Sequence, residues 1–299
     1  MVENILLGIF LPIGAFLVGI FLEGFKRKMV ARIQRRYGPP LIQPLLDIIK
    51  LLSKKDNISH GVMYDLGPVL ALSASILTVF FIPVPGFRLL SGSGDLVALL
   101  YIMVIGSLAM ALGAGEAANP NASIGIARAL TLMLGYDLPM VIALSTVILK
   151  FNTTNLYDIV AAQSGLHWGT FLMPITAVVA LIATYGAMGE HPFEVVVAPQ
   201  EVATGPMVEY GGKHLGFLMI DHAFHIYIEL ALFTDLFLGG ASNVVFYVLK
   251  LLGLLILITF FDTIYPRFRI ENAVRFFWRW PTVFALIGLF IVMIGGRRG

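Results

Sequence analysis

Apolar runs long enough to cross a bilayer recur along the whole chain, and they constrain its fold more than any other feature. A hydrocarbon core of about 30 Å needs about 20 apolar residues in a helix. Eight stretches meet that length, at about 4–25, 67–87, 95–115, 130–150, 168–188, 215–238, 244–264 and 281–296. Inside lipid every backbone polar group must find its partner within the protein, so each run is expected to be a helix. Composition agrees: 58% of residues are hydrophobic and 13% charged, with a mean hydropathy of +0.89. Soluble domains carry roughly a quarter charged residues. The expected fold is therefore an all-α polytopic membrane protein, one domain over 1–299 with about eight transmembrane helices. The first run, Ile5 to Leu22, lacks the basic flank and small-residue cleavage site of a secretory signal, and it reads as a retained span. No repeat, low-complexity tract or linker divides the chain.

Lysine and arginine set the expected orientation. Of the 20 such residues, 15 fall in connectors that share one side: nine between Lys26 and Lys55, then Arg128, Lys213, Arg267, Arg269, Arg275 and Arg279. That side is expected to be cytoplasmic, with both termini outside. Two of these connectors read as amphipathic helices. In 41–55, Leu45, Ile48, Ile49 and Leu52 share a face opposite Asp47, Lys50 and Lys54, while 268–280 mixes Phe276, Phe277, Trp278 and Trp280 with arginines. Either could anchor the chain at the interface or dock a partner.

Ionisable groups inside an apolar span cost roughly 2.5–3.5 kcal/mol on insertion scales, so they point to function. The span at 215–238 holds Asp221, His222, His225, Glu229 and Asp235. At 100° per residue these five fall within an arc of about 140°, one polar stripe. A proton path, interhelical polar packing and, more remotely, a metal site all accommodate such a stripe. Asp137 lies inside the fourth span beside Pro139, whose ring frees a backbone carbonyl. The connector 189–214 adds Glu190, Glu194, Glu201 and Glu209, and Glu116 closes the third span. There is no cysteine, hence no thiolate for an iron–sulfur cluster or haem. No phosphate loop, Walker motif, HExxH or nucleophile–His–acid set offers a self-contained active site, and nothing points to nucleic acid.

Several short motifs in fixed order resemble the H-subunit family of respiratory complex I, the membrane anchor of NADH-quinone oxidoreductase. That family includes the membrane anchors of energy-converting hydrogenases. The motifs are Arg35-Arg36-Tyr37-Gly38-Pro39-Pro40 with Gln43-Pro44, Asp47 and Lys50; Arg128 with Tyr136-Asp137-Leu138-Pro139; Pro192-Phe193-Glu194 with Glu201, Gly205 and Val208-Glu209-Tyr210; Ala231-Leu232 with Thr234 and Phe237-Leu238-Gly239; and Pro266-Arg267-Phe268-Arg269. Departures are equally informative. The insert after Gly-Pro found in quinone-using members is missing, the spacer before Pro192 is shorter, and Val197 and Pro199 stand where those members carry acids. The resemblance therefore implies the hydrogenase branch: a cell-membrane anchor that links ferredoxin-driven electron transfer in a cytoplasmic arm to proton or sodium translocation. It implies no cofactor in this chain, with iron–sulfur clusters and a nickel–iron site in partner subunits. Those partners would be large and small hydrogenase-like subunits, an iron–sulfur subunit and antiporter-like membrane subunits. Coupling would run through Asp137, Glu116, the four loop glutamates and the stripe, and Arg35, Arg36, Gln43, Asp47, Lys50, Arg128, Arg267 and Arg269 would dock the arm. A sulfane sulfur reductase or a quinone-reducing complex could use the same anchor. An independent secondary transporter and a purely structural anchor are the readings outside this scheme.

Overall fold

A computed structural model describes residues 2–55, 60–87, 89–90, 94–163, 165 and 167–296. The helices are α1 (Val2–Ile33), α2 (Gln43–Leu52), α3 (Val62–Val79), α4 (Asp95–Glu116), α5 (Pro120–Phe151), α6 (Leu156–Ala162), α7 (Gly169–Leu172), α8 (Pro174–Ala187), α9 (Pro199–Val202), α10 (Gly212–Phe237), α11 (Val244–Ile264), α12 (Ile270–Arg279) and α13 (Pro281–Gly296). Among the described residues there is no strand, and seven helical stretches are long and apolar enough to span a membrane. The protein is a multi-pass helical membrane protein, as the apolar runs require.

One expected span differs. The run at 168–188 is not a single helix, because Met173 leaves the helical region (φ −140°, ψ 64°) and α8 starts afresh at Pro174. Proline lacks the N–H that would continue the preceding turn and suits the first helical position. The 14 residues of α8 rise only about 21 Å at 1.5 Å each, short of a 30 Å core. Two other helices outrun their apolar cores. The first span continues through its basic end to Ile33, and α5 starts ten residues before the expected 130. Asn119 explains that early start: its side chain accepts the Asn121 N–H at 2.8 Å, with Pro120 next in line. Arg128 consequently stands on a helix rather than in a loop.

The α10 helix is the axis of the bundle. From Ile226 to Phe237 all its residues are buried, surrounded by α1, α3, α8 and α11. Small residues allow the close packing of α3 on α4: a Cβ added at Gly67 would meet the Ala109 carbonyl oxygen at 2.9 Å. The expected amphipathic helix at 41–55 is α2, and it packs on protein. Ile48 is buried with Ile20 of α1 and Ala223 of α10, while Ile49 is exposed rather than part of that face. The α12 helix likewise buries Ala273 and Phe277 and leaves Trp278 and Trp280 outside.

A polar corridor beneath the 188–211 loop

The segment between α8 and α10 folds back onto the bundle because it carries its own small aromatic core. Phe193 is buried, with its ring centroid 4.6 Å from that of Phe277, and it also meets Phe268, Phe276 and Tyr185. The Phe268 N–H donates to the Pro192 carbonyl at 2.8 Å, joining the loop to the connector before α12. Farther on, Gly205 (φ +56°) lies flat against α5, where a Cβ at Gly125 would stand 2.7 Å from the Gly205 Cα. That contact leaves no room for a side chain at 125, and at Gly205 a Cβ would collide with the Val196 carbonyl oxygen.

Ion pairs and hydrogen bonds fix the loop at four points. Glu190, buried, pairs with Lys26 of α1. The His191 ring bridges two acids, Nε2 at 2.9 Å from Glu194 Oε2 and Nδ1 at 3.0 Å from Asp262 Oδ1. Hydrogen bonds to Asp262 and then Glu194, partly opposed by burial, push His191 up to about 10. The imidazolium is thus the resting form at neutral pH. Glu201 accepts from Arg128 and from Arg267, each at 2.6 Å, and these partners hold its carboxyl below the ordinary range. At the far end of the loop Glu209 pairs with Asn119, and its Oε2 lies 3.7 Å from His60 Nε2.

Beneath the loop a cavity of about 410 Å³ opens between α3, α4, α5 and α10. Lys26, Ser75, Tyr136, Glu190, Glu194, Asp221, His222 and His225 are among its lining residues. A second cavity of about 100 Å³ shares Tyr136 and His225 with it and adds Asp137 and Glu229. Asp221 accepts from the Ser75 hydroxyl at 2.6 Å, and His225 Nδ1 stands 3.9 Å from Glu229 Oε1. Glu229 is buried, and its second oxygen has no hydrogen-bond partner among the described residues. Space of this size lined by acids and imidazoles accommodates water, and such groups pass protons along hydrated chains. The arrangement runs from the loop into the depth of the bundle.

The stripe on α10 therefore divides. Asp221, His222, His225 and Glu229 line the two cavities, whereas Asp235 lies beyond them and meets Tyr247 at 3.1 Å. Among the loop acids, Glu190 and Glu194 reach the cavity, while Glu201 and Glu209 serve as clamps. Glu116 stands apart, exposed at the end of α4 and accepting the Tyr64 N–H at 2.6 Å. Of the basic docking candidates, Arg35, Arg36, Lys50 and Arg269 are exposed on the loop side. Asp47 accepts from Gln43 at 2.8 Å and pairs with Arg27 at 3.5 Å, and Arg128 and Arg267 are engaged with Glu201. Sequence reasoning passes over Lys26, Tyr136 and His191 as site residues, and takes Asp262 only as an embedded charge at the end of a span. Lys26 and Asp262 sit at span ends, where charge is commonplace. Among the described residues no group of three His, Asp or Glu side chains could hold a metal ion.

The profile of the NADH dehydrogenase family matches residues 5–293. The chain belongs to the NADH dehydrogenase family. Within that family it is 29% identical over 291 residues to the H subunit of NADH-quinone oxidoreductase from Geobacillus sp. (strain WCH70), covering 90% of this chain and 86% of the relative. The corresponding protein of Geobacillus kaustophilus (strain HTA426) is 29% identical over 316 residues, covering 96% and 94%. A chain in the solved structure of the membrane-bound sulfane sulfur reductase, an archaeal respiratory membrane complex, superposes with a TM-score of 0.93. The two are 36% identical, over 97% of this chain and 99% of the other. This NADH dehydrogenase family member is an H-type membrane subunit of a multi-subunit respiratory complex, placed in the cell membrane.

Proposed function

We propose that the chain is the anchor and coupling subunit of a ferredoxin-driven respiratory complex, converting redox events in a cytoplasmic arm into proton or sodium movement. The reading rests on one observation above all: the two adjoining cavities reach from Glu190 and Glu194 of the loop to Asp137 and Glu229 inside the bundle. The 188–211 loop, with exposed Arg35, Arg36, Lys50 and Arg269 around it, forms the docking side for large and small hydrogenase-like subunits and an iron–sulfur subunit. Any iron–sulfur clusters and a nickel–iron site would lie in those partners, and antiporter-like subunits would flank the bundle. With the broken pair α7 and α8 together making an eighth crossing, the charge asymmetry assigns the docking side to the cytoplasm and both termini to the outside.

The chain's own residues then act as carriers and sensors. A change of charge near the docking face alters the field on Glu190 and Glu194, whose ion pairs with Lys26 and His191 rearrange. Tyr136 and His225, common to both cavities, pass the change on to Asp137 and Glu229. Replacing Asp137 with Asn in the assembled complex tests this: ion movement should stop while electron transfer persists once the ion gradient is collapsed. Intact ion movement would refute it.

Two terminal acceptors fit this anchor. The missing quinone-side acids at Val197 and Pro199 favour a hydrogenase-type complex, whereas the likeness to the sulfane sulfur reductase chain favours reduction of sulfane sulfur. Feeding reduced ferredoxin to the purified complex separates them. Hydrogen release with nickel in the preparation supports the first, and sulfide release from a sulfane sulfur donor supports the second.

A further inference from the structure

Asp235 is a buried acid that the corridor does not use. It is 1% exposed, on the turn of α10 farthest from the 188–211 loop, and Oδ1 has no hydrogen-bond partner among the described residues. Its other oxygen accepts from the Tyr247 hydroxyl at 3.1 Å. Gln163 locks the turn, donating to the Asp235 carbonyl and accepting from the Gly169 N–H, both at 2.8 Å. An acid held this firmly, with one oxygen open, is costly within a membrane unless it has work to do.

A cation lies nearby, beyond ion-pair distance of the carboxylate. Lys250 Nζ donates to the carbonyls of Leu238 and Gly240, each at 2.6 Å, and lies 4.5 Å from the centroid of the Trp168 ring. Gly239 (φ +68°) and Gly240 (φ +53°) take a backbone conformation that turns these carbonyls onto the ammonium. Gly240 touches both partners, since a Cβ there would also sit 3.4 Å from Asp235 Oδ1. Lys250 is half-buried, and Ser242, Asn243 and Val244 beside it are exposed. Tyr247, one turn earlier on α11, donates to Asp235 and has the Tyr227 phenol beside it. The acid, the phenols and the ammonium thus gather at the end of the bundle opposite the loop, buried at Asp235 and Tyr247 and half-buried at Lys250.

We propose that Asp235, Tyr247 and Lys250 form a far-side proton-transfer station, exchanging protons with water at the face opposite the 188–211 loop. The proposal rests on the coupling reading above and gives its path a far end. One cycle balances without electrons: a proton arriving from within binds Asp235 Oδ1, and the Lys250 ammonium releases one proton to outside water. The carboxylic acid then passes its proton to the amine through a bridging water, which gives up one proton as it takes one, restoring carboxylate and ammonium. Tyr247 positions the carboxylate throughout.

The competing reading makes Lys250 a cap for the last carbonyls of α10, a common role for a basic side chain. Arginine separates the two, because it keeps the charge and the donors yet does not deprotonate in proteins. The test uses the whole complex in proteoliposomes, comparing Asp235→Asn, Lys250→Gln and Lys250→Arg with Asp137→Asn. Asp235→Asn and both lysine variants should lower ion translocation about a hundredfold, the lower edge of what removing a positioned proton-transfer group costs. Redox turnover should survive when the gradient is released by ionophore. Native translocation in Lys250→Arg, or in Asp235→Asn while Asp137→Asn is blocked, would overturn the station and leave the coupling reading standing. Native translocation in Asp137→Asn as well would remove both. Should Asp235→Asn fail to assemble, Lys250→Arg decides alone.

Discussion

His191 Nδ1 lies 3.0 Å from Asp262 Oδ1, so the start of the 188–211 loop is tied to the end of α11 by a charged hydrogen bond. The same ring reaches Glu194 at 2.9 Å, and Glu194 lines the large cavity. One imidazolium therefore joins the docking face, the corridor and the end of α11. Such a joint gives a charge change at the loop something definite to move.

That joint sets a pH dependence. His191 is held up to about 10 by Asp262 and Glu194, above the ordinary value near 6.5. Its stabilising contribution is complete below the ordinary value and disappears as pH rises through about 10. Hydrogen exchange of 188–195 should stay slow through neutral pH and quicken only on approaching the upper value, with His191→Gln fast at every pH. Loss of protection already at neutral pH would contradict the assignment.

Glu201 behaves with the opposite sign. Arg128 first, and then Arg267, hold its carboxyl down, so the clamp is intact above the ordinary carboxylate range and opens as pH falls below it. Glu201 is exposed, so salt weakens the same clamp. Glu201→Gln should speed exchange around 198–208 without a measurable change in the melting temperature of the complex. A large melting shift would show that more than a surface clamp had been lost.

The Gly125–Gly205 contact predicts a packing defect. Alanine at 125 would place its Cβ 2.7 Å from the Gly205 Cα, backbone against backbone. Overpacking of this kind costs about 1–3 kcal/mol, and here the cost falls on the loop, which can lift away from α5. Limited proteolysis should cut Gly125→Ala within 196–208 faster than the native complex. Equal cutting would mean that the contact does not hold the loop.

The stripe on α10 was legible because four cavity-lining residues repeat with the helical period, and the bundle interior is the only place such a face can go. Angle alone carries no depth, which is why Asp235 joined the stripe by periodicity yet lies beyond the corridor beside Tyr247. The end of α4 shows the same limit: Glu116 is charged and near a span, but it serves the Tyr64 N–H at the surface. Hydropathy placed the α5 start too late because the polar turn around Arg128 is helical, a fact signalled by Asn119-Pro120 rather than by apolar content. The broken 168–188 span was written in Pro174. The loop clamps were not legible, since pairing His191 with Asp262 brings together residues 71 apart.

Coupling through this chain requires that the corridor carry ions, and Glu229 is its deepest acid. The direct measurement is the number of ions moved per electron in proteoliposomes holding the whole complex with Glu229→Gln. Glutamine keeps the shape and cannot take up a proton. The ratio should fall about a hundredfold while electron transfer continues once an ionophore releases the gradient. An unchanged ratio would contradict the corridor as the coupling path.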